Sequence, residues 1–182
     1  MQGESPFTKE GMGIRFMYLH IVTLSGGKVM QFYDKAVIIT GGASGIGEAA
    51  ARAFAAAGAR VAILDRNEKE GNRVVRQLCD THGPEAAIFG LADVTSEAEV
   101  ASFVAMVVAN YGRIDVVLNN AATILPKALE DVAEDEWNRL VDVNLKSVYL
   151  MTKHTIAQLR KTRGSIINMA SLNGLGRSAK PC

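Results

Sequence analysis

The stretch Thr40-Gly41-Gly42-Ala43-Ser44-Gly45-Ile46-Gly47 constrains this chain more than any other. It follows an apolar run, Ala36-Val37-Ile38-Ile39, and precedes an alanine-rich run from Glu48 to Ala57. That order reads as a buried strand, a tight glycine turn and a helix. Such a turn lets backbone approach an anion, and the N–H groups of the first helical turn point at it. A β-carbon would block the approach or forbid the backbone angles. A plain strand-to-helix connection has no need of three spaced glycines. A mononucleotide phosphate loop ends in Gly-Lys-Ser/Thr, whereas Gly47 is followed by Glu48 and Ala49, so that loop is excluded. The spacing Gly-x-x-x-Gly-x-Gly suits a dinucleotide better.

The rest of the chain alternates around this turn. Strands are expected at Ala36–Thr40, Arg60–Asp65, Ala86–Leu91, Ile114–Asn119 and Ser165–Ala170. Helices are expected from about Ile46 to Ala57, from Glu68 to His82, up to Tyr111, and over a long region from Glu134 to Lys161. Gly58, Gly83-Pro84 and Gly112 stand where the first three helices should stop. Ser96 with Glu99 predicts a capping box. The fold class is α/β, a Rossmann-type doubly wound parallel sheet of about five strands with right-handed crossovers. With 182 residues, 48% hydrophobic and 21% charged, the chain has material for one soluble domain. A net charge of +1 gives no reason to expect nucleic acid as a partner. Cys79 and Cys182 form no motif and fit a reducing, cytoplasmic setting. His20, His82 and His154 lack ligand spacing, so no metal site is expected.

Residues 1–29 read as a disordered extension, and 30–182 as the dinucleotide-binding domain. The run Ile14–Leu24 is apolar but interrupted by Arg15 and His20, and it is too short for a membrane span. Met30 is a candidate start of the mature chain, which the native N-terminus by mass spectrometry would settle.

Ligands of such sheets lie at the carboxyl ends of the strands, near the switch in strand order. The glycines stand after the first strand. Asp65 ends the second, where a carboxylate accepts hydrogen bonds from ribose hydroxyls and repels a 2′-phosphate. That favours NAD over NADP, although the neighbouring Arg66 carries a guanidinium able to pair with such a phosphate. Asp65 could instead be a turn carboxylate or a helix cap. Asp93-Val94 and Asn119-Asn120-Ala121-Ala122 end the third and fourth strands and could cradle adenine and ribose.

Taken together, these residues resemble the short-chain dehydrogenase/reductase family over roughly Met30 to Gly176. Thr40-Gly41, Gly45, Ile46 and Gly47, with Ser44 between them, match its cofactor turn. Asp93-Val94 matches its adenine-contacting pair, and Asn119-Asn120-Ala121-Ala122 its Asn-Asn-Ala-Gly motif, with Ala122 in the last glycine's place. Asn144 and Ser171 match its catalytic asparagine and serine. The resemblance implies hydride transfer between a nicotinamide cofactor and a small-molecule alcohol or ketone. Ser171 would hydrogen-bond the substrate oxygen, and Asn144 would hold a water in a proton relay. The family's acid/base is a Tyr-x-x-x-Lys pair downstream of the serine. Leu172 to Pro181 contains no tyrosine, so the chain is expected to end before that motif and to be inactive as it stands. Tyr149-x-x-x-Lys153 has the spacing but precedes Ser171. Its expected arrangement is a tyrosine packed on the sheet and a lysine reaching solvent. The family's usual dimer uses a helix beyond this point, so a homo-oligomer through that surface is not expected. The alternative is a non-catalytic NAD-binding module. Thr123-Ile124-Leu125-Pro126 would lie on the substrate side and is apolar, which hints at a hydrophobic substrate.

Overall fold

The first strand, β1 (Ala36–Thr40), sends its apolar side chains into two opposite layers. Ala36 and Ile38 enter one core and Val37 and Ile39 the other, and all four are fully buried. A strand that is apolar on both faces needs cover on both. In the computed structural model, which describes residues 31–171, helices supply it. The elements after β1 are α1 (Gly45–Ala56), β2 (Arg60–Asp65), α2 (Glu68–His82), β3 (Ala87–Leu91), α3 (Glu97–Tyr111) and β4 (Val116–Asn119). They are followed by α4 (Glu134–Val141), α5 (Ser147–Thr162) and β5 (Ser165–Asn168). Helices α1 and α2 cover the Val37/Ile39 side, and α3 and α5 the other. Among the described residues no helix is long and apolar enough to cross a membrane. The expected extension over 1–29 lies outside the described residues, as do Met30 and residues 172–182.

The strands are all parallel, in the order β3-β2-β1-β4-β5. The chain builds outward from β1 to β3, then returns to lay β4 on the opposite side of β1. The connections leave β1 and β4 in opposite directions, and a crevice opens at their carboxyl ends. The expected parallel α/β sheet is therefore observed, with β1, β2 and α2 at the bounds read from sequence. β3 and β4 begin one and two residues later than expected, and β5 stops at Asn168.

Two local expectations need correction. The long helical region from Glu134 is not uniform: a π-helical turn, Asp142–Lys146, joins α4 to α5. The extra residue in that turn shifts the phase of the helix. Val143 and Ser147 point inward, while Asn144 is left exposed. The Ser96–Glu99 capping box is only half made. The Ser96 hydroxyl accepts from the Glu99 amide at 3.4 Å, but the Glu99 carboxylate takes the Asp93 amide at 2.7 Å. The Ser96 amide is already bonded to the Asp93 carbonyl at 3.1 Å, so the reciprocal bond has no donor left.

At the opposite end of the sheet one buried carboxylate ties β1 to β4. Asp115 is 5% exposed and accepts from the Ala36 amide at 3.0 Å, from Arg113 through two bonds of 2.7 Å, and from Lys35 at 3.3 Å. Burial pushes this carboxyl up, but the Arg113, Ala36 and Lys35 donors outweigh it and hold it below the usual carboxylate range. A group depressed in the folded state stabilises the fold above its unfolded value of about 4, and that contribution is lost as pH falls through the folded value. Asp115→Ala should therefore cost about 2–3 kcal/mol at pH 7, because the Ala36 amide is left buried without a partner. Urea titrations of both proteins at pH 7 and pH 3 should show a smaller difference at pH 3.

Candidate functional site

The carboxyl ends of β1 and β4 are clasped by four hydrogen bonds. The Thr40 hydroxyl accepts the amides of Asn120 and Ala121, each at 3.0 Å. The Asn120 side-chain amide donates to the carbonyls of Thr40 and Gly41 at 3.0 and 3.1 Å. The glycine turn folds back onto this clasp. Gly41 has φ +65°, and a β-carbon there would sit 3.0 Å from the Ala121 Cα. At Gly47 a β-carbon would lie 2.1 Å from the Gly41 carbonyl oxygen and 2.7 Å from the Asn120 amide. Gly45 has φ +53°, but a β-carbon on it would face open space. The three glycines thus have different physical grounds. Gly41 and Gly45 adopt left-handed backbone, and Gly47 permits close packing.

The start of α1 is left open. Ser44 is its N-cap, yet its hydroxyl makes no capping bond, whereas Asn67 caps α2 and Ser96 caps α3. The helical ladder begins with the Glu48 amide on the Ser44 carbonyl at 3.1 Å, so the amides of Gly45, Ile46 and Gly47 precede it. Those amides and the helix dipole give a place for negative charge. Asp65 stands beside the turn. Its Oδ2 accepts the Ala43 amide and its Oδ1 the Asn67 amide, both at 3.0 Å. The turn-carboxylate reading of Asp65 is therefore realised. At the end of β3, Asp93 accepts the Thr95 amide at 2.9 Å and the Thr95 hydroxyl at 2.8 Å, with Arg66 4.0 Å away. Burial raises the Asp93 carboxyl, but the Thr95 donors and the Arg66 charge bring the net shift below its ordinary value.

A cleft of about 440 Å³ lies over these groups. Gly41, Ser44, Gly45, Ile46, Asp65, Arg66, Asp93, Val94, Asn120 and Ala121 all line it. Ten of the residues singled out from sequence, drawn from four strand ends, thus converge on one space. Gly47 is buried beneath the turn rather than lining the cleft. Leu64, Ala92 and Val143 also line it and were not picked out, because an apolar side chain in an apolar run carries no distinguishing signal. The Thr40 hydroxyl was missed as well. Its signal was a lone hydroxyl ending an apolar strand directly before the glycines.

The two residues matched to the catalytic positions fall differently. The Asn144 amide is not satisfied inside its helix. It donates to the Thr123 carbonyl and accepts the Thr123 amide, both at 2.9 Å, pinning the loop after β4 to the π turn. Ser171 lies three residues beyond β5, is exposed, and does not line the cleft. The Met169 amide donates to the Asn119 carbonyl at 2.9 Å, carrying the pairing with β4 past the end of β5. Tyr149 is not packed on the sheet as expected: it is 59% exposed on α5. Lys153 bonds Glu97 of α3 at 2.6 Å and stands 5.9 Å from the Tyr149 ring. Among the described residues no cluster of His, Cys, Asp or Glu could hold a metal ion.

The glycine geometry yields a graded prediction. Gly45→Ala should cost only about 1–2 kcal/mol, for an alanine held at positive φ with free space around it. Gly47→Ala meets backbone atoms that cannot swing away and should cost about 3 kcal/mol or more. Denaturant unfolding of the two variants measures the difference. Equal losses would mean that the turn relaxes around Gly47.

Comparison with known proteins agrees with this geometry. The family profile described as short chain dehydrogenase matches residues 35–181. Bovine L-fucose dehydrogenase (Bos taurus) is 38% identical over 150 residues, covering 81% of this chain and 53% of that protein. A 3-oxoacyl-[acyl-carrier-protein] reductase of Chlamydia muridarum is 39% identical over 143 residues, covering 78% and 57%. Meso-2,3-butanediol dehydrogenase of Serratia marcescens is 37% identical over 147 residues, covering 81% and 57%. The chain spans about half the length of the curated relatives it matches. A glycine turn packed against the switch point of a five-stranded parallel sheet, together with these matches, places the chain in the short-chain dehydrogenase family.

Proposed function

We propose that this chain is the dinucleotide-binding part of an oxidoreductase that transfers hydride between NAD(H) and a small alcohol or carbonyl compound. One observation carries the reading: the uncapped start of α1 opens into the same cleft as Asp65, Asp93 and Asn120. The residues present fit a dinucleotide. Gly45 leaves open space where a side chain would stand, so backbone can reach a pyrophosphate. The amides at the start of α1 would hold that group, and Ser44 would add a hydroxyl beside them. The Asp65 carboxylate keeps acceptor capacity for the adenosine ribose, since each oxygen has two lone pairs and one is used. Its charge favours NAD over NADP. Asp93, Val94 and Arg66 would flank the adenine, with Asn120 and Ala121 next along the cleft.

The nicotinamide ring, when bound, supplies the hydride donor or acceptor. The side chains act on the substrate oxygen and on the shape of the site. Ser171 would donate a hydrogen bond to that oxygen and stabilise negative charge as it develops. Asn144 would act mainly by fixing Thr123, and hence the loop leading to the exposed Ile124. An amide has two donors and two lone pairs, so a water remains within its capacity. Small hydroxylated substrates are supported by the names of L-fucose dehydrogenase and meso-2,3-butanediol dehydrogenase among the relatives. The proposed setting is the cytoplasm, where a free thiol such as Cys79 stays reduced.

Two measurements test the reading on this chain. NADH at about a hundred times its dissociation constant should stabilise the fold by about 2.7 kcal/mol, seen as a rise in melting temperature, with NADPH doing less at equal concentration. No shift with either cofactor would sink the proposal. Tyr149→Phe should leave the NADH titration unchanged, because Tyr149 lies outside the cleft on the outer side of α5.

A further inference from the structure

Asp65 has a structural task alongside its charge. Its two oxygens hold two backbone amides that belong to different elements. One is Ala43, inside the glycine turn; the other is Asn67, the residue that caps α2. The carboxylate therefore ties the end of β2 to the turn on one side and to the start of α2 on the other. Either side of Ala43 the turn is held by the Gly41 amide on the Leu64 carbonyl at 2.8 Å and by the Glu48 amide on the Ser44 carbonyl at 3.1 Å, and at Ala43 itself by Asp65. Gly41 and Gly45 flank Ala43 at positive φ, in conformations that glycine visits freely in an unfolded chain as well. The Ser44 hydroxyl, which could have fixed the turn to α1, makes no capping bond. Ala43 itself is buried, 1% exposed, so its amide would be costly to leave without a partner.

We infer that Asp65 is a positioning residue for the phosphate-binding turn, and that it acts on any dinucleotide through the Ala43 amide, not only on the ribose. The inference rests on the cofactor reading above and adds a consequence to it. If the carboxylate only repelled a 2′-phosphate, removing its charge would admit NADPH. Because the same carboxylate also orders the turn, its removal lowers affinity for NADH and NADPH together. Cofactor preference then cannot be reversed at this position alone. The nearby cation suited to a 2′-phosphate, Arg66, is exposed and 4.0 Å from Asp93. It would meet that phosphate beside a turn that has lost its bond at Ala43.

Asp65→Asn is the direct variant. Its side-chain oxygen can replace one accepted bond, but its NH2 group would face the second backbone donor. Asp65→Ser, with a shorter acceptor, is the second variant. Fluorescence titration of the full 182-residue chain should show NADH and NADPH each weakened about ten-fold by either change, the loss of a preorganised site. A tighter NADPH complex in either variant would overturn the inference and leave Asp65 as a charge filter alone. Hydrogen exchange in the cofactor-free proteins supplies a reading that needs no ligand. The amides of Ala43 and Asn67 should exchange about ten-fold faster or more in the variants, with Val37 and Ile39 of β1 unchanged. Unchanged exchange at Ala43 would refute the positioning role even if NADH binds. Faster exchange in a chain whose unaltered form binds neither cofactor would instead refute the cofactor reading and keep the role in the turn.

Discussion

The approach of Gly47 to the Gly41 carbonyl is the contact on which the rest of the site depends. No β-carbon fits between them, so the first turn of α1 lies directly on the backbone that leaves β1. That closeness aims the start of α1 across the carboxyl ends of β1 and β4. The Thr40 hydroxyl and the Asn120 amide then lock the two strand ends together from the other side. The clasp fixes the strand ends, and the glycines let the start of α1 lie close enough to present its amides over them.

Carboxylates organise this protein at both ends of the sheet, by the same chemistry with different outcomes. Asp115 is buried and saturated by Arg113, Lys35 and the Ala36 amide, so it can only hold strands. Asp65 and Asp93 sit at the opposite end, partly exposed, each holding backbone while lining the cleft. A fourth carboxylate, Glu48, has its pKa held down to about 2 by hydrogen bonds from Arg73 and Arg52, and the Arg73 bond links α1 to α2. The acidic side chain in the first turn of α1 is thus countered by two guanidinium groups. Without them Glu48 would oppose an anion in the cleft.

Much of this was legible from sequence because the signals are local. A strand apolar on both faces, glycines at fixed spacing and acids at strand ends each state their role within a few residues. Asn144 shows where that stops. Its place in a π turn, and its two bonds to Thr123, depend on a helix meeting a loop 21 residues away. No periodicity announces one extra residue in a turn. Tyr149 shows the opposite error. Its spacing to Lys153 matches the family's pair and its place before Ser171 argued for a packed aromatic instead, but it stands 59% exposed on α5. The Glu99 carboxylate was misassigned for a related reason, since its partner amide, Asp93, belongs to the preceding strand end and not to the helix it caps.

The sequence by itself determined the α/β alternation, the positions of the strands and the glycine turn as a place for an anion. Hydrophobic period and backbone stereochemistry are properties of neighbouring residues, so they can be read there. Only the tertiary structure decided that the ends of four separate strands share one cleft, because strand order is fixed by packing between distant segments. It also decided that Gly47 packs where Gly45 opens, and that Asp65 both holds the turn and lines the cleft, two roles that the sequence offered as alternatives. Those distinctions lie in what each atom touches across the fold, and two glycines or two carboxylates look alike until the chain has closed around them.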